Sequence, residues 1–211
     1  MLFLLNGVSK LKDDGIMVIV QDASPLYKGK PGSGEDRIRA YILENDWLDA
    51  IVRLSGDAFY NTGLVTFLWV INKNKPNNRA GKVQLIDASK CFVSRNRPIG
   101  KKRNDITTAC RELVVKAYSD FKTATIREMA ETGSTIEVSS LVCDAADFGY
   151  NRVVIHEPLI DENGDIVIDK KGRPVSDHNK DDSEDIPLSM DIDSYMQRYV
   201  IPFNNNAWAD T

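Results

Sequence analysis

Histidine is almost missing from this chain: His156 and His178 are the only two in 211 residues. Neither stands near a Ser, Cys or carboxylate in a recognisable catalytic order, so surface or packing roles are expected of both. Cysteine is scarce too. Cys91, Cys110 and Cys143 are odd in number and far apart, with no C-x-x-C and no histidine at ligand spacing. That pattern excludes a disulfide framework and a zinc site, and predicts reduced thiols in a cytoplasmic protein. No apolar run reaches the length of a bilayer span, so no membrane partner is expected. The opening MLFLLNG has no basic leader, which speaks against a signal peptide. Charge of one sign is lacking as well: 27 Lys and Arg against 31 Asp and Glu leave a net charge of -4. That balance gives no global pull toward nucleic acid. No paired carboxylates stand out for acid–base work, and Asp13 and Asp14 read as solvated residues at a helix end. No catalytic residue is assigned.

What is present reads as an α/β protein. Leu2, Leu5, Val8 and Leu11 fall at near-helical spacing and the helix stops at Gly15. IMVIV (16–20) reads as a strand buried on both faces. Ser33 and Asp36 form a capping box for a helix through about Asn45, with Ile38 and Ile42 inward. WLDAIVRL (47–54), LVTFLWVIN (64–72) and KVQLIDAS (82–89) follow as strands. The order helix, strand, helix, strand, strand, strand predicts an α/β sheet whose last members pair by hairpins. GKPGSGE (29–35) has glycines near a helix start, but its Lys is misplaced for a phosphate loop, leaving a flexible loop before a capped helix.

The composition shifts after residue 90. RNRPIGKKRND (95–105) is basic and turn-rich, and its Arg95, Arg97, Lys101, Lys102 and Arg103 suit either phosphate contacts or a solvated loop. Ile106, Cys110, Leu113, Ala117 and Phe121 trace a helix predicted to run to about Glu131, with Gly133 beyond. RVVIH (152–156) is strand-like, and DENGDIVIDKKGRPV carries two turn signals around DIVID, the pattern of a small exposed hairpin. HNKDDSEDIP reads as an acidic linker. Pro187 to Val200 reads as a final helix with Ile192, Met196 and Tyr199 on one side. These shifts divide the chain at 1–92, 93–150 and 151–211.

AFYNTG (58–63) sets a question, because a turn needs Asn and Gly but not two large rings. Either Phe59 packs under the sheet edge, or the loop walls a bound base, since bases stack on aromatic faces. Asn61 and Gly63 are expected to take the positive φ angles of the turn.

Several stretches together resemble the methylation subunit of type I restriction–modification systems, an adenine-N6 DNA methyltransferase. They are LKDDGIMVIVQDA, then DRIRAYILENDWLDAIVRLSGDAFYNTGLVTFLWVINKNK, then RAGKVQLIDAS, FGYNR and the tail DSEDIPLSMDIDSYMQRYVIPF…AWAD. The block from Arg37 to Lys75 is the specific part. The resemblance implies the C-terminal part of a Rossmann-like methyltransferase sheet. Residues 16–20, 47–54 and 64–72 would be its strands five, six and seven, with 82–89 an added strand and a helical, hairpin-containing tail. The seventh strand would lie antiparallel between the other two. The loop before it would touch the target base through Phe59, Tyr60, Asn61 and Thr62, with Phe59 at the position of a second aromatic wall.

Two family features are missing. The glycine-rich cofactor loop is not present, and Asn-Pro never occurs, so the N-P-P-[FYW] tetrad is not present either. The resemblance therefore implies a C-terminal part without activity of its own, binding no cofactor alone, although the full subunit uses S-adenosylmethionine. DNA, a specificity subunit, a second methylation subunit and a restriction subunit would be its partners in the full complex. Two other readings remain: a non-catalytic assembly module that binds the specificity subunit or DNA, and an unrelated nucleotide-binding α/β domain. The reading frame upstream of Met1 would separate them.

Overall fold

The computed structural model describes residues 1–210, and the chain forms two compact units, one spanning Met1–Ala145 and one beginning at Ala146. The first unit opens with α1 (Leu2–Lys10), β1 (Ile16–Gln21), the short α2 (Ser24–Tyr27), α3 (Gly34–Glu44) and β2 (Leu48–Leu54). It continues with β3 (Phe67–Asn72), β4 (Lys82–Ala88), a ribbon of β5 (Val93–Ile99) and β6 (Lys102–Asp105), α4 (Thr108–Asp120), β7 (Ala124–Met129) and β8 (Thr135–Asp144). Six strands form one sheet in the order β1-β3-β2-β4-β8-β7. β3 lies between β1 and β2 and is antiparallel to both, the placement that the resemblance implies for 64–72. β2 and β4 are parallel, so β1, β2 and β4 all point the same way.

Both faces of this sheet carry a core. On one face Leu4 and Val8 of α1 and Ile42 of α3 pack on Trp69, Ile71 and Val83. On the other, Cys110, Leu113 and Ala117 of α4 pack on Val52, Ile86, Ile136 and Val138. Each such aliphatic side chain contributes about 1.5–3 kcal/mol through burial. The Ser33 hydroxyl caps α3 by accepting the Asp36 N–H at 3.4 Å, the geometry the sequence predicts. Beneath α4 lies a polar node. Asp49 is fully buried, 3.0 Å from the Arg79 guanidinium, and accepts the Tyr118 hydroxyl at 2.5 Å. Arg79 also donates to the Tyr118 carbonyl and lies 4.2 Å from the Tyr118 and Phe121 rings. Burial first, then the Asp49 carboxylate, pushes the Tyr118 hydroxyl up to about 12.

Several expectations are corrected. IMVIV is not covered on both faces. Met17 and Ile19 join the α1/α3 core, whereas Ile16, Val18 and Val20 are 50–61% exposed. β1 is an edge strand, and α4 packs on the β4 and β8 side of that face. The third strand starts at Phe67, leaving 64–66 in the preceding loop. The α4 stripe ends at Asp120, not near Glu131. Phe121 takes φ +46°, and the β-branched Thr123, Thr125 and Ile126 carry the chain into β7. The turn-rich 95–105 is a strand ribbon.

The second unit holds β9 (Tyr150–His156), β10 (Asp182–Pro187) and β11 (Trp208–Asp210) in the antiparallel order β10-β9-β11. β9 matches the predicted RVVIH strand. The presumed acidic linker is largely β10, with Ile186 fully buried and Arg152 on β9 gripping Asp185 at 2.7 and 2.8 Å. The short final helix expected over Pro187–Val200 is α5 (Ile192–Tyr195) and a π turn over Met196–Val200, because the chain is still a strand at Pro187.

Between β9 and β10 the expected hairpin is replaced by three eight-residue repeats: PLIDENGD, IVIDKKGR and PVSDHNKD (158–181). The Leu159 N–H donates to the Val175 carbonyl at 2.8 Å, Val175 to Val167 at 2.9 Å, and Val167 to Leu159 at 2.9 Å, which closes a ring. The antiparallel bridges Ile160–Ile166, Ile168–Pro174 and Ser176–Pro158 complete the pseudo-threefold pattern. Each repeat then turns on its Asp, whose side chain accepts a backbone N–H two residues on: Asp161 from Asn163, Asp169 from Lys171, Asp177 from Asn179.

Candidate nucleic-acid interface

Ligands of open α/β sheets gather beyond the carboxyl ends of the parallel strands. Here those ends are Gln21, Leu54 and Ala88, and the loop leaving β2 carries AFYNTG. Its tight turn is set by Asp57 at φ +55°; neither Asn61 nor Gly63 has a positive φ, contrary to expectation. Gly63 is needed for another reason: a Cβ there would stand 2.6 Å from Asp57 Oδ1. Phe59 is half-buried against the core under α4, while Tyr60 is 57% exposed. Asn61 is exposed, and the Thr62 hydroxyl accepts the Leu64 N–H at 3.1 Å.

The basic ribbon β5–β6 docks on this loop. The Lys101 N–H donates to the Tyr60 carbonyl at 2.9 Å, and the Arg103 and Asn104 N–H groups to the Asp57 carbonyl at 2.9 and 3.1 Å. The Asn104 side chain donates to the Gly56 carbonyl at 2.9 Å. Lys102 Nζ sits 5.1 Å from the centre of the Tyr60 ring. The two candidate groups, distant in sequence, thus form one surface.

Their charges are not equivalent. Arg95 and Lys102 share Asp105, at 2.6 and 3.1 Å, and the Lys102 contact chiefly holds that carboxyl below its usual range. Arg97, Lys101 and Arg103 are exposed and make no ion pair among the described residues. The result is an outward ring with the Asp105-bound Lys102 beside it, on a ribbon that also carries the exposed Arg97, Lys101 and Arg103, a surface able to stack on a base and to touch phosphates.

Around GKPGSGE, a Cβ at Gly32 or Gly34 would meet nothing, while Gly29 at φ +99° packs on Ser33. The loop closes on its own helix cap, with the Asp36 N–H on the Ser33 hydroxyl. Among the described residues no His, Cys, Asp and Glu group could hold a metal. Cys91 is buried, which pushes its thiol up to about 12 and keeps it protonated. Sequence reading missed one cluster: Asp181 gathers the Ser176 hydroxyl at 2.6 Å, His156 Nδ1 at 2.7 Å and His178 Nδ1 at 2.9 Å. Its residue types suggest an acid–base set; the Ser176 hydroxyl donates to the carboxylate and lies 3.2 Å from His156 Nδ1. It clasps the third repeat to the end of β9.

The fold is that of a methyltransferase. Over 69% of its length the chain matches a type I restriction–modification system methyltransferase subunit from Streptococcus thermophilus, with TM-score 0.55 and 27% identity, covering 26% of that protein. The chain belongs to the N-6 DNA methylase family, whose model matches residues 1–147. It is 35% identical over 104 residues to the type I restriction enzyme MjaVIII methylase subunit of Methanocaldococcus jannaschii, covering 49% of this chain and 17% of that one. It is 24% identical over 204 residues to the MpnII methylase subunit of Mycoplasma pneumoniae, covering 96% of this chain and 34% of that one. The chain therefore spans about a third or less of the length of these curated relatives.

Proposed function

We propose that the chain is the C-terminal part of a type I restriction–modification methylase subunit and is inactive by itself. The whole subunit would act in the cytoplasm on adenine N6 in DNA, with a specificity subunit, a second methylation subunit and a restriction subunit as partners. S-adenosylmethionine, held by the rest of the subunit, would supply the methyl group. The observation that carries this reading is the exposed Tyr60 ring beside Lys102 of the basic ribbon, at the carboxyl edge of the sheet. The uncovered Ile16, Val18 and Val20 on edge strand β1 support the partial-subunit reading, since such a row is normally buried.

The part of this chain is to receive DNA. Extruding a base costs a few kcal/mol, and stacking on an aromatic returns about 1–3 kcal/mol. Tyr60 offers that face, Phe59 backs the loop from within, and Asn61 and Thr62 line its tip. Arg97, Lys101 and Arg103 contact phosphates, while Arg95 and Lys102 hold the ribbon through Asp105. Calorimetric titration of the chain with S-adenosylmethionine should give no one-site micromolar binding. Supplying the missing N-terminal part of a methylase subunit as a second chain should restore methylation of adenine. In that pair Tyr60→Ala should weaken DNA binding about tenfold, the equivalent of one lost stack, with little loss of stability. Methyl transfer by the chain alone would overturn the reading, as would unchanged DNA binding by the variant.

A further inference from the structure

The repeat ring has three arms, and they differ. The third is clasped to β9 through Asp181, with Pro158 buried at its base. The other two stand free. Arm one, DENGD (161–165), carries three carboxylates and no cation; arm two, DKKGR (169–173), carries three cations and one carboxylate. Asp169 is used internally by Arg173, at 3.1 Å. Lys170 and Lys171 make no ion pair among the described residues, nor do Glu162 and Asp165. The bases of both arms are apolar and open: Ile160 is 44% exposed, Ile166 36% and Ile168 60%. An acidic arm, an apolar middle and a basic arm therefore share one small scaffold.

A two-fold axis places each patch residue against a different residue of the same patch on its mate. An isologous contact here sets arm one of each copy against arm two of the other, so both charge contacts are attractive. The isoleucines at the bases then cover one another, which removes an apolar patch from water. We propose that arms one and two form a self-complementary surface through which the chain pairs with a second copy of itself. The contact is small and charge-dominated, so it is weak and sensitive to salt. It does not depend on the methylase reading: failure of either leaves the other intact.

The test is a charge swap in the full chain. In sedimentation equilibrium the unaltered protein should form a dimer as its concentration rises, and added salt should dissociate it. Lys170→Glu/Lys171→Glu makes both arms acidic; Glu162→Lys/Asp165→Lys makes both basic. Each variant alone should bind itself roughly tenfold or more weakly, since like charges now meet. An equal mixture should associate again, because every arm regains an opposite partner. Circular dichroism matching the unaltered chain verifies that these exposed tips leave folding intact. A monomer at all concentrations, dimerisation of either variant like the parent, or no recovery in the mixture would each overturn the proposal.

Discussion

Gly100 shows what a single residue contributes to the interface. It sits at φ +61°, and a Cβ on it would meet the Tyr60 carbonyl at 2.6 Å. Both facts require glycine, because the ribbon tip must come close enough for Lys101 to bond Tyr60. Gly100→Ala should cost about 1–3 kcal/mol in urea unfolding and speed hydrogen exchange at the Lys101 amide. At this scale the sequence was partly legible. It marked AFYNTG as unusual and listed the cations of 95–105, but could not tell which ring faces out. Phe59 and Tyr60 are adjacent, so neighbouring side chains diverge, and the choice depends on Asp57 taking the left-handed turn. Nor did composition separate Arg95 and Lys102, tied through Asp105, from the free Arg97, Lys101 and Arg103.

Elements were legible where hydrophobic patterning sets them and hidden where it does not. β2, β3 and β4 are dense in apolar residues, and a helix over Thr108–Asp120 follows from its stripe. β5 and β6 alternate Arg, Asn and Lys, so only their backbone pairing reveals them. The eight-residue repeat escaped notice because only its Asp recurs in all three copies. The Asp49–Arg79–Tyr118 node ties α4 to the sheet beside its apolar stripe. Arg79→Ala should strand a buried carboxylate and lower stability by about 3–5 kcal/mol, whereas Tyr118→Phe, which removes one hydrogen bond, should cost about 1–2 kcal/mol. Chemical denaturation of both variants checks the ratio. The Asp181 clasp should show in pH. Its carboxyl is held well below the usual range, first by Ser176 and then by the two histidines. A lowered folded value contributes stability above the unfolded value of about 3.9, lost as pH falls through the folded value. Asp181→Asn should therefore flatten the acid limb of hydrogen-exchange protection in β9 while leaving that of β3 unchanged.

At the scale of the molecule, β1 is the exposed flank. Its outer backbone edge is unpaired, and Ile16, Val18 and Val20 face away from any core of the first unit. Natural edges usually carry a charge or a bulge against stray pairing, and this one has neither. Val18→Lys should raise the concentration at which the chain alone begins to scatter light, with unfolding free energy changed by less than about 0.5 kcal/mol. It should also block rescue by an added N-terminal part, if that part covers the same flank. Higher solubility with undiminished rescue would place the covering strand elsewhere. This edge explains why periodicity misled: IMVIV is apolar at every position, which describes an interior strand, and the sequence does not say whether its neighbour belongs to the same chain.

The closure of the three repeats also limits how this segment can change over generations. A solenoid tolerates gain or loss of a unit, because each unit touches only its neighbours. Here the first repeat donates to the last, from the Leu159 N–H to the Val175 carbonyl, so copy number is locked. Losing one repeat leaves one carbonyl and one N–H of the ring facing no mate, and adding one forces the circle open. Variation is channelled instead into the tips between each Asp and the next apolar residue, where charge can be rewritten without touching the ring.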